Sequence, residues 1–193
     1  MTDRRRWLLL GAVGLAALAP FAGSPFAAER GRIDVAALGR LVAHEEDHVT
    51  ALELAQWIKD RRGLHILDLR PVIQFDSLRI PGAVRVAIDS LAVLGLPAGD
   101  TIVLYSEGGA HAAQGWVFLR ALGYRHVFFL RGGIYEWIDQ VLSPSLAIDA
   151  PDSERAAFAR SAVLSRYFGG LPRAGVPRSE QAKSIAQIRR RGC

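Results

Sequence analysis

Cysteine is almost missing from these 193 residues: there is one, Cys193, and methionine is equally rare. A single cysteine excludes an intrachain disulfide framework and any zinc site built from several thiolates. Low-complexity tracts and internal repeats are lacking too, which sets aside solenoids and repetitive linkers. Charged residues are 22% against 50% hydrophobic, a balance that argues against disorder and against a multi-span membrane protein. The length suits one domain of ordinary size with extensions and is too short for two large ones.

Acidic residues are scarce at both ends. Residues 1–28 hold three Lys+Arg against one Asp+Glu, and residues 151–193 hold nine against three. Residues 29–150 are mildly acidic, with 12 against 15. The pI near 10 therefore describes a basic head and tail rather than the body. Nothing in this distribution asks for nucleic acid; basic patches on an exported protein more often face solvent or lipid.

Arg4, Arg5 and Arg6 precede an uncharged run from Trp7 to Ala28, whose most apolar part ends before Pro20. A cationic start, an apolar stretch and a breaker form the pattern of an export signal, and the paired arginines before Trp7-Leu8 look like a twin-arginine signal. The small-x-small rule for cleavage fails at Ala28, because Phe26 lies two residues earlier, so an uncleaved anchor is the alternative. Residues 1–28 are thus expected to be a signal peptide or membrane anchor, with membrane contact through residues 7–28. Both forms place the body in the periplasm, free or anchored at the inner membrane.

Within residues 29–48, Ile33 to Val42 reads as a short amphipathic helix, with Ile33, Ala36, Ala37, Leu41 and Val42 on one side, followed by a polar link from His44 to His48. Thr50 is placed to cap a helix through Lys59. Leu64 to Leu69 suits a buried strand, Pro71 to Leu78 a short helix, and Ala83 to Ile88 and Asp100 to Tyr105 two further strands. A helix over Ala110 to Leu122 is expected to bury Ala113, Trp116, Val117 and Ala121 or Leu122, with Gly123 as its stop. Val127 to Leu130 completes the strands, and Gly132-Gly133 opens a helix containing Ile134 and Trp137. Strands alternating with helices at this spacing imply an α/β fold with a mostly parallel sheet covered on both faces. Residues 143–193 read as a basic, helical extension: a helix from Asp152 to about Tyr167, a linker over Leu171 to Pro177, and a basic helix over Ser179 to Arg191. Ile185 and Ile188 are the only sizeable apolar residues of that last helix, so it has no core of its own.

Five segments in order carry a family resemblance: VTALELAQWI (49–58), ILDLRPVIQF (66–75), IPGAVRV (80–86), IVLYSEGGAHAA (102–113) and ALGYRHVFFLRGGIYEW (121–137). Residues 49–142 resemble a rhodanese-like domain of the rhodanese/sulfurtransferase superfamily. The resemblance implies five parallel strands with flanking helices and a ligand loop of Ser106, Glu107, Gly108, Gly109, Ala110 and His111. The residues themselves support such a loop: a strand runs into a glycine-rich turn and then a helix, whose first N–H groups lack intrahelical partners.

At its chemical centre the pattern departs from the family. Active members carry a persulfide on a cysteine where this chain has Ser106. A hydroxyl cannot form the sulfur–sulfur bond and stays protonated without a neighbouring base. Glu107 stands where many relatives have a cation, and His111 where an arginine is frequent. A carboxylate about 4 Å from an anionic donor costs about 1 kcal/mol in water and about 4 kcal/mol at an intermediate dielectric. Ordinary sulfur transfer from thiosulfate is therefore not expected, and Ser106 reads as a turn or cap serine: Leu104 replaces the glycine that a nucleophile elbow needs.

Asp68 and Arg70 match the family's D-x-R and are expected to form a strut beneath the loop. Arg79, where relatives often have histidine, borders the loop or faces solvent. His44-Glu45-Glu46-Asp47-His48 spells H-E-x-x-H but lacks apolar flanks and a third ligand, so a solvated linker is expected, with no metal and no cofactor. Cys193 follows Arg189, Arg190, Arg191 and Gly192, cations that favour a thiolate. The first expectation is a non-catalytic binding or accessory module serving an envelope protein partner. The alternative is a sulfur carrier that takes a persulfide or mixed disulfide on Cys193, with a small sulfur-containing anion or persulfide donor as its ligand.

Overall fold

The computed structural model describes residues 34–181. Residues 1–28, expected to be an export signal or anchor, and residues 182–193, with Cys193 and most of the expected basic helix, lie outside them. Among the described residues no helix is long and apolar enough to cross a membrane.

The chain order is α1 (Val35–Ala43), β1 (His48–Val49), α2 (Ala51–Lys59), β2 (Leu64–Asp68), α3 (Val72–Ser77), β3 (Ala83–Arg85), a 3-10 turn (Ile88–Val93), β4 (Thr101–Tyr105), α4 (Ala110–Ala121), β5 (Val127–Leu130), α5 (Gly133–Trp137) running into a wide π-type turn (Ile138–Leu142), β6 (Ser145–Ala147), α6 (Asp152–Tyr167) and β7 (Arg173–Val176). Five strands form one parallel sheet in the order β1-β5-β4-β2-β3. This is the α/β architecture with helices on both faces that the sequence implies.

The central strand β4 shows why the sheet needs two covers. Val103 and Tyr105 point into one core with Leu54, Leu130, Ile134 and Trp137, under α2, α5 and α6. Ile102 and Leu104 alternate into the other core with Leu91, Trp116 and Leu119, under α4 and the 3-10 turn. Period-two alternation thus gives each face its own apolar set, and each buried large side chain contributes about 1.5–3 kcal/mol.

The caps follow the sequence. Thr50 forms a reciprocal capping box with Glu53: the hydroxyl accepts from the Glu53 N–H at 3.2 Å, and the Glu53 carboxylate accepts from the Thr50 N–H at 2.8 Å. These bonds hold the Glu53 carboxyl below its ordinary range. Gly123, at φ +95°, ends α4 in the left-handed conformation that glycine tolerates.

Several expectations need correction. α4 turns Ala112, Gly115, Trp116 and Leu119 inward, and Val117 is 40% exposed. The cause is Gly115: a Cβ there would lie 3.1–3.2 Å from methyls of Leu69, Leu91 and Leu104, so the missing side chain lets the helix sit close on the sheet. In α1 the half-buried residues are Ala37, Leu38 and Leu41, with Ala36 exposed. The strand expected over Ala83 to Ile88 stops at Arg85, where the chain enters the 3-10 turn. Neither is the link at 44–48 wholly solvated. Asp47 is buried, and His48 joins the sheet edge beside Phe129. Finally, the presumed linker 171–177 contains β7, which pairs in parallel with β6. The segment after 142 is therefore not simply helical, and α6 buries Leu164 in the main core while Phe168 meets Trp137 edge-on at 5.2 Å.

Candidate functional site

The loop between β4 and α4 stands at the carboxyl edge of the sheet, where ligands of open α/β folds gather. Ser106 is 3% exposed, and its Oγ accepts the Gly109 N–H at 3.2 Å. The hydroxyl thus closes a serine turn, as its residue type favours. Among the described residues no histidine or carboxylate hydrogen-bonds to this hydroxyl. His111 is exposed on the first turn of α4.

The loop is fixed from behind by the start of α5. The Ser106 carbonyl accepts the Ile134 N–H at 2.9 Å, and the Glu107 carbonyl accepts the Tyr135 N–H at 3.4 Å. Gly133, at φ +57°, makes this possible: a Cβ there would collide with the carbonyl oxygens of both Ser106 and Glu107. Gly109, at φ +100°, is the N-cap of α4 and provides no side-chain cap, so the first N–H groups of that helix have no intrahelical acceptor. Glu107 is half-buried, and its carboxylate accepts a hydrogen bond from the Gln74 amide of α3.

Beneath the loop lies the expected ion pair. Arg70 donates to Asp68 through Nη2 at 2.7 Å and Nε at 3.0 Å, and its backbone N–H adds a third bond at 2.9 Å. Asp68 is fully buried, and Nη2 of Arg70 also donates to the Leu78 carbonyl at 2.6 Å. The Arg70 guanidinium stacks over the Tyr105 ring, with 5.4 Å to its centroid. Burial works against the Arg70 charge, but the bonds and charge of Asp68 outweigh it and the guanidinium becomes more basic. Burial, and after it the hydrogen bond with Asp68, pushes the Tyr105 phenol well above its ordinary value. The Ile80 N–H donates to that phenol oxygen at 3.3 Å. The pair therefore ties the ends of β2, α3 and β4 together directly under Ser106.

Arg79 is exposed, its guanidinium 4.9 Å from the Phe75 ring centroid. His44 caps the end of α1 while His48 sits on β1 with Nδ1 2.8 Å from Asp47, so the two histidines do not share a helix face. Among the described residues no group of three His, Cys, Asp or Glu side chains could hold a metal ion. Sequence reading missed Gln74 and the structural role of Gly133. The Gly132-Gly133 pair was the available signal for the second, since paired glycines before a helix announce a close backbone approach.

Residues 50–140 match the family model described as "Rhodanese-like domain". A curated relative, "Probable adenylyltransferase/sulfurtransferase MoeZ" of Mycobacterium tuberculosis, is 31% identical over 98 residues. That alignment covers 48% of this chain and 25% of the relative, so the chain spans about a quarter of the length of the curated proteins it matches. Among solved structures, a rhodanese-related protein from Thermoplasma volcanium is 24% identical with a TM-score of 0.42, covering 47% of this chain and 89% of that one. A rhodanese-like domain protein from Staphylococcus aureus is 21% identical with a TM-score of 0.45, covering 49% of this chain and 93% of that one.

Proposed function

With residues 50–140 matched to the rhodanese-like domain, we propose that the protein is an exported, non-catalytic binding module, which serves a protein partner of the cell envelope through the Ser106 loop. The single observation that carries this is the state of Ser106: an oxygen in place of the sulfur that persulfide chemistry requires, buried and engaged by the Gly109 N–H. Glu107 adds a carboxylate at the loop, held by Gln74, and opposes small sulfur-containing anions. The built framework around the loop, with its buried ion pair and glycine-assisted packing on α5, supports a surface kept for recognition. Export rests on Arg4 to Arg6 and the uncharged run to Ala28.

The test is intact mass after exposure to polysulfide. The unaltered protein is expected to gain no sulfur, and Ser106→Cys to gain a sulfur atom at the loop. A sulfur adduct on the unaltered protein that disappears in Cys193→Ser would replace this reading with the carrier. An adduct that survives Cys193→Ser would refute both.

A further inference from the structure

The solvent side of α3 adjoins the Ser106 loop. Val72 and Ile73, on its first turn, are 58% and 77% exposed. Asp76, one turn after Val72, is exposed beside them. Gln74 turns the other way, toward the loop, and its Nε2 donates to the Glu107 carboxylate. An open aliphatic pair thus lies between two carboxylates at the mouth of the loop, and apolar surface placed in that way marks a contact region.

Those carboxylates have no cation of their own. Among the described residues no ion pair includes Glu107 or Asp76. The arginines at this end of the sheet are engaged elsewhere: Arg70 with Asp68, Arg79 over the Phe75 ring, and Arg85 through Nε with the Arg70 carbonyl at 3.2 Å. Gln74 meanwhile holds the Glu107 charge in place at a cost. Its amide must present N–H to the carboxylate, so its oxygen cannot, and Gln74 Oε1 is buried with no hydrogen-bond partner among the described residues. A buried acceptor left unpaired is destabilising, and a donor-rich ligand at the loop would complete it.

We infer that the partner presents an arginine-bearing peptide segment to this corner, with the guanidinium on Glu107 and its aliphatic stem across Val72 and Ile73. This rests on the reading of the loop as a recognition surface and names the chemistry that surface selects. A long apolar stem ending in a cation matches an exposed aliphatic pair next to a carboxylate. Arginine fits better than lysine, because its planar fork offers several N–H donors to the carboxylate and the unpaired amide oxygen together. The start of α4 adds a second demand: its first N–H groups have no intrahelical acceptor. Backbone carbonyls are neutral acceptors, so a peptide meets both demands, whereas a bare cation or a small anion meets one and is opposed by the other.

The experiment is an amide-resolved NMR titration of the full chain with two capped dipeptides, acetyl-arginyl-leucine amide and acetyl-citrullyl-leucine amide, which share a shape and differ by one charge. Shifts are expected at Ile73, Gln74 and Glu107 to Gly109, with the arginine probe binding about fivefold tighter or more, the factor that one charge pair about 4 Å apart gives in water. Glu107→Gln should erase that preference while citrulline binding stays the same, and Ile73→Ser should weaken both probes alike. Unchanged amide signals of the β4 core in each variant show that the fold is kept. Lack of any saturable shift at those amides, equal affinity for the two probes, or a preference that survives Glu107→Gln would each overturn the inference. Its failure is separable from that of the reading beneath it: no arginine preference together with no sulfur adduct removes this inference alone, whereas a sulfur adduct that persists in Cys193→Ser removes both.

Discussion

Gly133→Ala is the sharpest probe of how the loop is built. The native residue lies at φ +57°, where an L side chain costs about 1–2 kcal/mol. The new methyl would also collide with the Ser106 and Glu107 carbonyl oxygens, which belong to backbone and cannot swing aside. To clear it the loop must retreat from α5, which breaks the 2.9 Å bond from the Ile134 N–H to the Ser106 oxygen and weakens the one from Tyr135 to Glu107. Leaving such a buried acceptor unpaired costs about 1–3 kcal/mol. The combined loss is about 2–5 kcal/mol. Gly123→Ala is the matched control: it too has positive φ, +95°, but nothing lies within 4 Å of the added Cβ, so only the backbone cost of about 1–2 kcal/mol remains. Urea denaturation followed by tryptophan fluorescence reads the difference. With a slope of about 2 kcal/mol/M, the Gly133 variant should unfold about 0.5–1.5 M earlier than the Gly123 variant. Equal midpoints would refute the claim that α5 clamps the loop through this glycine.

Other outcomes follow from the same contacts. Asp68→Asn should destabilise the fold by about 3–5 kcal/mol, because Arg70 is left buried without its carboxylate; the double change Asp68→Leu with Arg70→Met should recover much of that loss, as read by chemical denaturation. Tyr105 contributes to alkaline sensitivity. Its folded phenol titrates above the ordinary value of 10.0, so the stability it gives is present below about pH 10 and is lost as pH rises from there toward the folded value. Unfolding free energies measured from pH 8 to 11 should therefore fall less steeply in Tyr105→Phe than in the unaltered protein. In a Ser106→Cys background, adding Glu107→Arg should raise turnover of thiosulfate by about tenfold or more, the effect of removing a like charge near the anion.

The sheet was readable because its strands are short, apolar and separated by helices with recognisable ends: Thr50 with Glu53 capping α2 and Gly123 at the end of α4. What the pattern hid depends on contacts between distant residues. The inward face of α4 is set by Gly115, whose value lies in the absence of a side chain that any hydrophobicity scale would credit. β7 was hidden because Arg173, Ala174 and Gly175 are exposed and lack strand-like alternation; it exists by pairing with β6. At the site, Asp68 and Arg70 were visible through the resemblance, as a match to the family's D-x-R at a strand end. Gln74 was not, since its bond to Glu107 spans 33 positions and depends on how α3 folds over the loop.

The identity of one side chain, Ser106, governs the functional account, and thiocyanate formation from thiosulfate and cyanide tests it most directly. Purified unaltered protein is predicted to show no turnover above buffer, with Cys193→Ser indistinguishable from it. Sustained turnover that persists undiminished in Cys193→Ser would contradict the account, because the protein would then be moving sulfur without a thiol.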